Sequence, residues 1–171
     1  QKKVLKSADK ALKKGEYAEA LTLAKEASEN AETKDDPEVY VILGKATLYQ
    51  FKADLENLDL AKEAFGYFKT AVEKGDEDLK ADLYFPPVLD KNGQFIAGGE
   101  GFIYLQRLLN EKGDEYFGLD DFENSYKYFN LAAQIKPDIV LYFYAGYSAY
   151  NADLFDEAIV LYEKVVASGE D

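Results

Sequence analysis

Small and apolar residues recur along this chain at helical spacing. Ala20, Ala24 and Ala27 form one ladder, and Ala64, Phe68 and Ala71 a second. Ser125, Phe129 and Ala132 repeat it, as do Ala158, Tyr162 and Val165. The i, i+4, i+7 step places each set on one helical face. Extended to its flanks, the pattern predicts helices near 2–14, 17–31, 38–52, 58–74, 100–117, 121–135, 138–151 and 155–167. An all-α fold follows.

The helices come in pairs. Ala8 precedes Ala20 by twelve residues, Gly113 precedes Ser125 by twelve, and Gly146 precedes Ala158 by twelve. Gly44 and Ala64 form a fourth pair, stretched to twenty. Small residues at these places let two helices approach closely. An aromatic near the turn (Tyr17, Phe122, Phe155) wedges into the joint. One such pair cannot bury its own apolar face, so neighbouring pairs must stack into a superhelical array.

The segments "GEYAEALTLAKEA", "VYVILGKATLY" with "AKEAFGYFKTAVEKG", "GDEYFGLDDFENSYKYFNLAAQIKP" and "YFYAGYSAYNADLFDEAIVLYEKVV" resemble the tetratricopeptide (TPR) family. Pro37 and Pro137 stand where that family ends one repeat and opens the next, a place that suits proline. Gly113 and Gly146 lie 33 residues apart, the closest spacing in the series. The resemblance covers most of the chain outside 76–99. It implies antiparallel helix pairs stacked in a right-handed superhelix of about four repeats, at 2–31, 37–75, 100–136 and 138–168, in one domain over 1–171.

Two departures from a regular array stand out. The second repeat carries about eight extra residues around "FKADLENLD", read as a longer helix or turn. The segment "DEDLKADLYFPPVLDKNGQFIAGGEG" is far longer than a usual helix connection. Within it "VLDKNGQFI" sets Asn-Gly between two apolar stretches, a β-hairpin signal. Pro86-Pro87 opposes helix just before the hairpin. Gly98, Gly99 and Gly101 permit a tight return into the next helix. The expectation over 76–99 is a long loop with a β-hairpin.

Charge narrows the partners. The net charge is −13, unevenly spread: residues 1–34 hold eight lysines against six acids, the rest twelve basic residues against twenty-seven acids. Such a surface repels nucleic acid, whose affinity comes from phosphate neutralisation. The lysines at 2, 3, 6, 10, 13 and 14 are the one basic region; the ordinary reading is a solvated helix face, the other a contact with an anionic membrane or an acidic partner. No apolar run has transmembrane length, so no integral membrane segment is expected. His, Cys, Met and Trp are absent. Disulfides, thiolate nucleophiles, ordinary zinc sites and His-based acid–base chemistry are excluded with them.

The remaining motifs have ordinary readings. "DKNG" at 90–93 resembles the start of a calcium loop, but Phe95 stands where that loop needs glycine and Gly101 where it needs a bidentate acid. "GGEG" at 98–101 leads towards a helix, but no Gly-Lys-Ser/Thr follows, and Glu100 opposes an anion. The acid pairs Asp35/Asp36, Asp76/Asp78 and Asp120/Asp121 fall at turns and helix starts, where Asp is favoured locally. No catalytic residue, metal site or cofactor is expected, and the chain is read as a non-enzyme.

The aromatics are the candidate chemistry. "LYFYAGYSAY" at 141–150 spreads Tyr142, Phe143, Tyr144, Tyr147 and Tyr150 over more than half of one short helix. In TPR arrays the first helix of each pair lines a concave groove. The resemblance therefore implies a partner-binding groove of Val41, Lys45, Leu48 and Tyr49, then Arg107, Asn110 and Asp114, then Phe143, Tyr147, Tyr150 and Asn151. Two readings of the tyrosines stand side by side: interface anchors, or packing beneath a further helix beyond residue 171. The Lys/Asn/Arg clamp of chaperone-binding members is absent, with Leu5, Asp9, Val41 and Ile42 at its places.

Gln1 followed by two lysines resembles the processed N-terminus of exported TPR proteins of Bacteroidetes-type bacteria. That resemblance implies a periplasmic or outer-membrane-associated protein after signal-peptide removal. No polar capping helix follows "VVASGED", so the chain is expected to be a fragment of a longer one, or to be covered by another chain. The functional expectation is a scaffold that binds a protein or peptide segment and assembles or braces an envelope complex, with self-association through the uncapped last repeat as one mode. The alternatives are a glycan-binding module of an outer-membrane uptake system, and an accessory domain of a longer enzyme.

Overall fold

The structure, a computed structural model, describes residues 2–169, and of Phe95 and Ala97 the backbone alone. It is all-helical apart from one small hairpin. The chain divides into two compact units, Gln1–Tyr104 and Leu105–Asp171. The first holds α1 (Lys2–Lys13), α2 (Tyr17–Glu29), α3 (Pro37–Ala53), α4 (Leu58–Lys74), α5 (Glu77–Leu83), β1 (Val88–Leu89) and β2 (Phe95–Ala97). Helix α6 (Phe102–Gly118) begins there and runs into the second, which also holds α7 (Phe122–Ile135), α8 (Ile139–Asn151) and α9 (Phe155–Ser168). Helices pack on their sequence neighbours: α1 on α2, α2 on α3 and α3 on α4 in the first unit, α7 on α8 and α8 on α9 in the second. Helix α1 also touches α3.

The eight helices expected from periodicity are present with ends displaced by two residues at most. Their pairing rests on one contact used repeatedly. A β-carbon on Gly44 would lie 2.5 Å from the Phe68 ring, one on Gly113 2.9 Å from Phe129, and one on Gly146 3.2 Å from Tyr162. In α1 and α2 the corresponding residues are Ala8 and Ala24, both fully buried in one cluster. Glycine thus stands where the opposing residue is aromatic, and alanine where it is alanine. The summed volume at the joint is what the pair conserves.

The extra residues of the second pair lengthen both helices. Helix α3 runs nine residues past Gly44, whereas α1, α6 and α8 end five past Ala8, Gly113 and Gly146. Helix α4 starts six residues before Ala64, whereas α2, α7 and α9 start three before Ala20, Ser125 and Ala158. Each gains about one turn.

The three other pairs share one turn. Gly15, Asp120 and Asp153 all adopt left-handed backbone, with φ of 77°, 57° and 60°. After each, an amide reaches back five residues: Glu16 to the Ala11 carbonyl at 3.0 Å, Asp121 to Tyr116 at 2.9 Å and Leu154 to Ala149 at 2.8 Å. This closes the helix C-terminus in the Schellman manner, where glycine is preferred. Asp120→Gly and Asp153→Gly are therefore each expected to raise stability by roughly 0.5 kcal/mol. Gly15→Ala should lower it by about 1 kcal/mol. Urea midpoints check all three.

Residues 76–99 differ from the expected long loop. They contain α5, capped by Asp76, whose carboxylate accepts from the Leu79 amide at 2.9 Å. The Pro86-Pro87 signal hid this helix because α5 ends at Leu83, clear of the prolines. The hairpin is present: β1 and β2 pair antiparallel, with Val88 opposite Ala97, Leu89 opposite Phe95 and an irregularity between. The turn does not centre on Asn-Gly. Gly93 donates to the Asp90 carbonyl at 3.0 Å and takes the left-handed position, with φ of 77°. Asp90 Oδ1 accepts from the amides of Asn92 and Gln94, each at 2.8 Å.

Candidate functional site

The acids singled out from sequence serve local geometry. Asp36 caps α3 with Pro37 in its first turn, Asp121 caps α7 and Asp138 caps α8. Pro137 lies just ahead of that last cap, outside the helix. Asp35 pairs with Lys74 at 2.7 Å, and that ammonium holds its carboxyl below the usual range. Among the described residues no three acids converge as metal ligands would. None of the described helices is long and apolar enough to cross a membrane.

In the first unit three of the four expected groove residues, Val41, Lys45 and Tyr49, meet the 76–101 segment. Leu48 does not face a groove: it is fully buried in the core. Val41 and Lys45 on α3 form one wall of a cleft of about 300 Å³. Leu79, Asp82 and Leu83 on α5 form the other, and Phe85, Gly98, Gly99 and Glu100 complete the lining. Tyr49 lies beside it, half-buried and committed: its hydroxyl donates to Glu100 Oε2 at 2.6 Å and its ring stacks on Tyr17 at 4.4 Å. The lobe is tightly built. A β-carbon on Gly99 would lie 2.5 Å from the Pro86 carbonyl oxygen, and one on Gly101 would collide with the Leu83 carbonyl. Sequence reasoning missed Leu79, Asp82 and Phe85 as site residues. The signal was the length of the segment, which was read as loop.

Burial, and then the hydrogen bond to Glu100, raise the Tyr49 phenol well above its ordinary value. Burial and the hydrogen bond to Glu63 push Tyr67 up to about 12. In both, the folded chain prefers the protonated phenol. Their stabilisation is full below the unfolded value near pH 10 and is lost as pH rises through the folded values. Stability of the wild type is expected to fall more steeply between about pH 10 and 12 than that of the Tyr49→Phe/Tyr67→Phe variant. Urea midpoints across that range measure it.

In the second unit Arg107 and Asp114 are exposed and Asn110 is half-buried on α6. Although the residue as a whole is exposed, desolvation by nearby protein raises the Asp114 carboxyl. Asn151 is exposed, and its side chain donates to the Tyr147 carbonyl at 2.8 Å. The aromatic residues of α8 divide in two ways at once. Tyr147 contacts Phe117 at 5.5 Å and Phe122 at 6.1 Å, Phe143 contacts Tyr162 at 6.3 Å, and Tyr150 contacts Phe155 at 5.7 Å. Yet Phe143 is 45% exposed, Tyr147 39% and Tyr150 56%. On α9, Ile159, Val160 and Val166 are each more than half exposed. An open depression of about 430 Å³ lies against Ile159, Tyr162 and Val166. One side of each ring is anchored and the other is free, which is how an aromatic contact residue is pre-organised.

No protein-family model matches the chain, and no curated protein sequence is significantly similar to it.

Proposed function

We propose that this chain is a non-enzymatic helical-repeat scaffold of the TPR type that holds a protein segment. The half-exposed aromatic and aliphatic face of α8 and α9 carries this reading. Soluble proteins rarely leave so many large apolar side chains open together unless they receive a partner. The recurring glycine–aromatic joint and the three matching turns support a repeat architecture. The right-handed superhelix of about four repeats, the periplasmic or outer-membrane setting and the role in an envelope complex rest on the sequence resemblance.

The test is photo-crosslinking from position 143 in an envelope extract, followed by affinity measurement with the captured segment. Tyr147→Ala/Tyr150→Ala should weaken that binding at least about tenfold. The lost contacts to Phe117, Phe122 and Phe155 lower the melting temperature, so binding is compared at a temperature where the helical signal equals that of the wild type. Equal binding by the folded variant removes this face as the contact.

A further inference from the structure

The cleft in the first unit has chemistry that the scaffold reading does not use. Its two walls are preformed helix faces, α3 and α5, each offering an apolar residue and, one turn on, a charge. On α3 these are Val41 and Lys45. On α5 they are Leu79 and Asp82, with Leu83 beside them. The charges are opposite, yet among the described residues neither the Lys45 ammonium nor the Asp82 carboxylate has a salt-bridge or side-chain hydrogen-bond partner. Lys45 is half-buried. Asp82 is exposed. In a chain with 33 acidic against 20 basic residues, a half-buried lysine side chain with no carboxylate partner stands out. Glu100, the third charge at the cleft, is already engaged by the Tyr49 hydroxyl.

The complement of two opposed, unpaired charges around an apolar space of about 300 Å³ is a small molecule carrying both charges and one apolar group. We propose that this cleft binds a zwitterion of the α-amino-acid type, a free apolar amino acid or a dipeptide. Its carboxylate faces Lys45, its ammonium faces Asp82, and its side chain lies among Val41, Leu79 and Leu83. The Phe102 ring stacked on Tyr84 and the close packing of Gly99 and Gly101 on the Pro86 and Leu83 backbone together hold the α5 wall in place, so little ordering accompanies binding.

The test is amide NMR titration of the whole chain with L-leucine and leucyl-leucine. Saturable shifts are expected in Val41–Lys45 and in Leu79–Asp82; tighter binding of one probe identifies a free amino acid or a short peptide. N-acetyl-leucine and leucinamide, each lacking one charge, should bind roughly tenfold more weakly or worse. Lys45→Gln should erase the advantage of leucine over leucinamide, and Asp82→Asn its advantage over N-acetyl-leucine. Gly98 lines the cleft outside the left-handed region, and a β-carbon there meets nothing within 4 Å. Gly98→Leu should therefore fold normally and lose both probes. The proposal is overturned if neither zwitterion shifts these amides at roughly 10 mM in folded protein, or if the shifts persist in Gly98→Leu.

Discussion

Gly44→Leu is expected to destabilise the first unit by about 3 kcal/mol or more. The β-carbon alone would lie 2.5 Å from the Phe68 ring, and that ring is fully buried. It also packs on the Phe102 ring at 5.5 Å, and that ring is itself 1% exposed, so Phe68 has no open space to move into. Even Gly44→Ala should be unfavourable, although alanine is the better helix former by about 1 kcal/mol. The sharper form of the prediction is a reversal of sign. Phe68→Ala alone should cost about 3–5 kcal/mol through lost burial and the cavity left behind. In that background Gly44→Ala no longer meets a ring, and its helix propensity makes it neutral or stabilising. The two substitutions should couple by about 1–3 kcal/mol in a double-mutant cycle read by urea denaturation. Additive effects would show that the glycine is not there for the ring.

That joint also shows what a sequence can reveal of such a fold. The ladders at Ala20, Ala64, Ser125 and Ala158 were legible because helix periodicity and burial coincide; all four are buried. The shared turn was partly legible, since Tyr17, Phe122 and Phe155 mark it. The left-handed Asp120 was read as an ordinary turn acid and Asp153 was not singled out, because aspartate reports a preference for turns and not a backbone angle. Helix α5 was masked by prolines that lie beyond its end. The cleft was illegible for a further reason. Lys45 and Asp82 are 37 positions apart, and only the folded lobe brings their helices face to face. The aromatic residues of α8 were found as a group, but their sharing between anchored and open sides depends on Phe117, Phe122 and Phe155 in other helices.

The same lobe sets the second large effect. Phe102→Ala is expected to cost about 3–5 kcal/mol and to release the α5 lobe before the rest of the first unit. Phe102 is 1% exposed. Its ring stacks on Tyr84 at 4.3 Å and meets Phe68 at 5.5 Å and Phe65 at 5.9 Å. It therefore joins the end of α5 to α4, which otherwise share few contacts. The other tie in this region, the Tyr49 hydroxyl on Glu100, is a single hydrogen bond, and Tyr49→Phe should cost only about 1–2 kcal/mol. Hydrogen exchange separates the two. In Phe102→Ala the amides of Lys80 and Tyr84, which donate to Asp76 and Lys80 in α5, should exchange much faster, while those of α2 keep their protection relative to global unfolding. Uniform acceleration throughout the unit would mean that the lobe and the helix pairs unfold as one. Unchanged exchange in α5 would mean that Gly99 and Gly101, packed on the Pro86 and Leu83 backbone, hold the lobe without the ring. If α5 is released as expected, leucine titrated into the variant meets only the Lys45 wall, and the preference for a zwitterion over a simple carboxylate should disappear with it.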